Sequence, residues 1–168
     1  MIPIRDRNPT VRRPYVTYVL IALNLAAFFL WQPLGDANEP SSVLAGERFL
    51  TRGELFAFCH GAIPLEVLGL RPLPELVAAC DGKSVPISIL TSMFLHGGLL
   101  HLGGNLLYLW VFGNNVEDRM GRGVFLAFYV LAGVAAVYAQ AFSSPGSIIP
   151  MIGAVSYTHL TLPTICSV

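Results

Sequence analysis

Two histidines and an asparagine lie in one of the most apolar stretches of the chain, Phe94-Leu-His-Gly-Gly-Leu-Leu-His-Leu-Gly-Gly-Asn-Leu-Leu-Tyr-Leu-Trp-Val-Phe-Gly113. Residues four apart share a helix face, so His101 and Asn105 point the same way, with Tyr108 and Phe112 continuing the stripe. An imidazole and a carboxamide are costly in hydrocarbon unless they find partners, which makes both of them functional candidates. Each is a neutral hydrogen-bond donor. The plainer reading is a pair of inter-helix hydrogen bonds that hold a bundle together. Gly97, Gly103 and Gly104 lie on or beside the same face and open a groove where another backbone can approach closely.

Other chemistry is weaker. Ser156 and His159 are three residues apart near the C-terminus, but a nucleophile needs a base fixed by surrounding structure. A metal site from His96, His101 and His159 is disfavoured: His96 and His101 diverge by about 140° on a continuous helix, and no carboxylate or thiol lies nearby in sequence. No metal or organic cofactor is expected. His60 reads as a surface histidine. Cys59, Cys80 and Cys166 form no disulfide framework; Cys59 and Cys80 share a loop and can pair if it faces an oxidising compartment.

The elements that position His101 and Asn105 belong to a membrane protein. Of 168 residues 54% are hydrophobic and 12% charged, where soluble domains carry about a quarter charged. Mean hydropathy is +0.63 and net charge is zero, so nothing suggests a nucleic-acid partner. Residues 1–14 are basic, with Arg5, Arg7, Arg12 and Arg13, and read as a cytoplasmic N-terminus. Tyr15 to Leu34 is an apolar run of 20 residues, about enough to cross ~30 Å of hydrocarbon, and Trp31-Gln-Pro33 reads as an interfacial stop. A signal peptide is the rival reading, but no small-x-small cleavage site follows.

Gly35 to Pro86 is a long outer loop, in which Leu55–Phe58 and Val67–Leu70 suggest short interfacial helices. Ile87–His96 is an approach segment, and a span follows over residues 98–113. Arg119 and Arg122 mark a cytoplasmic turn before a third span at 123–142, whose Ala132, Gly133, Ala135 and Ala136 form a small-residue packing face. A fourth span starts at 148–154 and then fails: residues 155–168 contain Pro163, several hydroxyls and a histidine.

His96-x4-His101-x3-Asn105, then Gly113-x3-Glu117-x3-Gly121, then an outer loop running into Gly153-Ala154, resembles the rhomboid intramembrane serine proteases. The resemblance covers Tyr15 to Ala154. It implies an all-α membrane protein, a rhomboid-like helical bundle of six spans, of which this chain holds three full transmembrane helices and the start of a fourth. It also implies a serine nucleophile on the fourth span, a base histidine on the sixth, and His101 with Asn105 in the oxyanion hole. Glu117 and Arg119 are expected to hold the cytoplasmic end. Implied substrates are single-span membrane proteins cut near the outer face, and the implied location is the inner membrane.

The sequence departs from the family after Ala154. The serine position holds Val155, and Ser156 comes one residue later, a rotation of ~100° about a helix. Residues 155–168 read as a foreign tail of the kind appended when a sequencing read runs into adaptor DNA. The chain as written is expected to be inactive. A non-catalytic rhomboid-like protein that binds transmembrane helices is the alternative.

Overall fold

The computed structural model describes residues 13–35, 37–45, 48–70, 80 and 82–153. Pro14, which has no N–H to lose, precedes helix α1 (Tyr15–Ala26), whose almost wholly apolar sequence continues as a π-helical turn, Ala27–Trp31. Pro33 disfavours helix at the residue before it, and Gln32 is extended there (φ −72°, ψ 141°). The first loop is more structured than two interfacial helices. An antiparallel hairpin pairs β1 (Pro40–Ala45) with β2 (Arg48–Thr51), a small unexpected addition to a mostly helical chain. Helix α2 (Arg52–His60) starts at a capping box, with Glu54 N–H donating to the Thr51 hydroxyl and Thr51 N–H to the Glu54 carboxylate. Helix α3 (Pro64–Val67) opens on its proline.

Helix α4 (Val85–Ser92) leads through a tight turn to α5 (Leu99–Tyr108), which continues as a π-helical turn, Leu109–Gly113, into α6 (Asn114–Met120). Helix α7 (Arg122–Ser143) is the one element among the described residues that is by itself long and apolar enough to cross a bilayer. Helices thus occupy all three stretches read as spans. The buried faces of α7 and α4 meet the first loop in a cluster of Ala62, Ile89, Val137, Ala141 and Met151. Gly133 on α7 is a true close approach, because a Cβ there would lie 2.2 Å from Met93 Cε. The opposite faces are bare: Leu30, Leu100, Leu131 and Phe142 are 67–94% exposed, as a lipid-facing surface requires.

The end of the bundle where α1 begins is tied by Glu117, which is 3% exposed. Its carboxylate accepts from Val16 N–H (3.0 Å), Thr17 N–H (2.8 Å) and the Thr17 hydroxyl (2.9 Å), so it caps the first turn of α1 from α6. Gly113 packs its backbone on Thr17. This is the holding role expected for Glu117; Arg119 is exposed.

The expected start of a fourth span is corrected. Residues 148–153 contain no helix. Pro150 has no N–H to give a helix, Met151 N–H donates to Ala62 O (2.7 Å), and Gly153 N–H donates to Ser92 O (2.7 Å). The segment is held as an extended strap between the first loop and the end of α4. Ser156, and the rest of residues 154–168, lie outside the described residues.

Candidate active site

The site is assembled where α4 ends, α5 begins and the strap crosses both. On an unbroken helix His96 and His101 would point apart. Here the helix starts only at Leu99 and Phe94–Gly98 folds back, so the two rings meet edge to face with centroids 5.1 Å apart. Their hydrogen bonds assign opposite tautomers. His96 Nδ1 lies 3.0 Å from Phe94 O, a carbonyl that can only accept, so this nitrogen carries the proton. His101 Nδ1 accepts from Gly97 N–H at 3.2 Å, so its neutral ring carries the proton on Nε2. That Nε2 is buried and has no partner among the described residues.

Gly153 explains where the free N–H points. A Cβ at Gly153 would lie 2.5 Å from His101 Nε2, and the residue has φ +73°, a conformation that glycine adopts without strain. Only a glycine lets the strap pass this close to the imidazole. Ile152 packs its side chain on Gly97. His96 itself is 1% exposed, and burial, aided by the neighbouring His101, pushes its pKa down to about 4. It is therefore neutral at any ordinary pH.

Asn105, one turn beyond His101, lines a cavity of about 420 Å³ with Asn24, Met93, Leu109, Tyr129 and Gly133. The Asn24 amide donates to Leu20 O (2.7 Å) and hydrogen-bonds the Tyr129 hydroxyl, so the cavity has a polar lining on an otherwise apolar wall. Gly103 and Gly104, expected in a packed groove, face open space. His60 is no part of the site: its Nδ1 donates to Phe56 O and its ring packs on Trp31 and Phe56.

The first loop braces the strap. Cys59 and Cys80 are disulfide-bonded. Beside them Lys83 Nζ donates to Phe58 O (2.7 Å) and meets the Glu66 carboxylate at 2.6 Å, with both side chains at most 5% exposed. Burial lowers the Lys83 pKa, and the Glu66 carboxylate opposes that shift.

Two contributors carried no signal in sequence. One is the Gly97 backbone N–H, which only a fold-back can deliver. The other is Gln32, whose side-chain amide donates to His96 O (2.9 Å) and accepts from His96 N–H (3.0 Å). Its place between Trp31 and Pro33 marks a helix end and nothing more.

Residues 84–159 match the rhomboid domain. The chain is 27% identical over 160 residues to the rhomboid protease GluP of Bacillus subtilis, covering 89% of this chain and 25% of that protein. It is 27% identical over 128 residues to the presenilin-associated rhomboid-like protein of Bos taurus, covering 73% of this chain and 33% of that one. Over 56 residues it is 38% identical to the rhomboid protease GlpG of Salmonella newport, covering 33% of this chain and 20% of the relative. The chain thus spans a third or less of these relatives' lengths. No solved structure matches.

Proposed function

Since this chain belongs to the rhomboid family, whose members are integral membrane proteins, we propose that it carries the oxyanion-stabilising side of an intramembrane serine endopeptidase site. The observation that carries this reading is the buried Nε2–H of His101, without a partner among the described residues, beside Gly153, two residues before the family's serine position. A carbonyl attacked at that position places its developing O⁻ beside a pre-set neutral donor, and Asn105 supplies a second one from the next turn. A cation in the same place would cost far more to bury. Substrates are transmembrane segments of single-span membrane proteins, opened near the outer face. The disulfide supports that orientation, because such bonds persist in oxidising compartments. In this reading the first loop lies outside and the basic N-terminus in the cytoplasm, with the chain in the inner membrane.

Val155 in the serine position favours a second reading, a helix-binding protein that does not cut. Reconstituted protein made from the resequenced full reading frame, treated with a fluorophosphonate probe and a single-span substrate, separates the two. The protease reading expects labelling and cleavage, with cleavage falling by roughly 10²–10³ on Asn105→Ala at unchanged melting temperature. Unchanged cleavage in that variant removes the oxyanion role of Asn105. Retained substrate binding with neither labelling nor cleavage gives the chain to the helix-binding reading.

A further inference from the structure

We propose that Gln32 is a positioning residue that sets the tautomer of His101 through a single peptide plane, an inference that rests on the oxyanion role given to His101 above. The carbonyl of His96 and the N–H of Gly97 belong to the same planar, trans peptide unit, so they point in opposite directions and move together. Gln32 grips one end of that unit, its Nε2 donating to His96 O at 2.9 Å. The other end, Gly97 N–H, donates to His101 Nδ1 at 3.2 Å. The grip cannot rotate about its own bond, because the Gln32 Oε1 also accepts from His96 N–H at 3.0 Å. Backbone polarity leaves one orientation of the amide: nitrogen to carbonyl, oxygen to N–H.

A hydrogen-bond chain therefore runs from Gln32 through the His96–Gly97 peptide to Nδ1 and leaves the imidazole proton on Nε2, facing Gly153. Each bond in such a chain polarises the next in the same sense. Without the grip, the peptide is free to turn, and a carbonyl turned toward His101 would draw the proton to Nδ1. That would leave a lone pair, rather than a donor, where the oxyanion forms. The residue lies 64 positions from His96 in sequence and touches no reacting atom.

The test reads the tautomer directly. The full chain is labelled with ¹⁵N-histidine and its imidazole nitrogens are recorded in detergent micelles at pH 8, with His101→Gln as the assignment control. The native protein is expected to show His101 protonated on Nε2 alone. Gln32→Met keeps the length and loses both bonds; Gln32→Glu keeps the acceptor and puts a carboxylate against the His96 carbonyl. Both are expected to lose the single Nε2–H form at His101, while His60, held separately by Phe56 O, is unchanged. A pure Nε2–H tautomer at His101 in either folded variant overturns the proposal and leaves Gln32 as a helix anchor. So does a native His101 that carries its proton on Nδ1. Failure of the protease reading would look different: no cleavage or labelling, with the tautomer change intact.

Discussion

His96 shows how a single residue can make this fold sensitive to acid. It is buried, donates from Nδ1 to Phe94 O, and has a pKa near 4 where an exposed histidine titrates near 6.5. The folded chain therefore prefers the neutral ring, and the unfolded chain takes up the proton first. Stability from this group is complete above about pH 6.5 and is lost as pH falls toward 4. Melting temperatures in detergent between pH 8 and pH 4 are expected to fall along that limb. His96→Asn, which keeps a donor for Phe94 O and cannot titrate, should flatten it; superimposable acid limbs would remove His96 as the cause. At this scale the sequence was partly legible. His101 and Asn105 stood out because polar groups are rare in so apolar a run. Their partners did not, because Gly97 N–H and Gln32 reach the imidazole only after the chain folds back, and a periodicity argument assumes that it does not.

Elements were legible where their physics is local. The apolar runs at Tyr15, Leu99 and Arg122 became helices within a few residues of expectation, since length and hydrophobicity alone decide such segments. The hairpin β1–β2 and the extended strap at residues 148–153 were missed, because both are decided by partners far away in sequence. Met151 pairs with Ala62 and Gly153 with Ser92, while Pro150 only removes the helical option. The strap depends in turn on the first loop, whose buried ion pair supplies a prediction. Lys83→Met leaves the Glu66 carboxylate dehydrated and uncompensated and should cost about 3–5 kcal/mol. The double variant Lys83→Met/Glu66→Leu should recover most of that loss, since a buried pair and an apolar pair of similar volume are often near equal. Chemical denaturation of the three proteins checks it. A double variant as unstable as Lys83→Met alone would mean that the donation from Lys83 to Phe58 O, and not the ion pair, holds the loop.

Across the whole molecule, α1 is fastened at both ends and left open in the middle. Glu117 takes its first turn at one end, and Gln32, just past its π-helical turn, takes hold of His96 at the other. Between them lies the cavity of about 420 Å³ that Asn24 and Asn105 line. In lipid there is no hydrophobic drive to press one apolar helix against another, so polar bonds at the ends carry an unusual share of the docking. The two fastenings are fifteen residues apart, roughly 22 Å of helix, and share no partner. Glu117→Gln should cost about 1.5–3 kcal/mol, because a charged acceptor of three hydrogen bonds is replaced by a neutral one. Gln32→Met should cost roughly 1–3 kcal/mol, since it strands a peptide N–H and a carbonyl. If α1 leaves the bundle in one cooperative step, the double variant loses the sum of the two to within ~0.5 kcal/mol, as distant sites do. If it loses no more than the worse single variant, one released end already frees the helix, and the other fastening never acts alone.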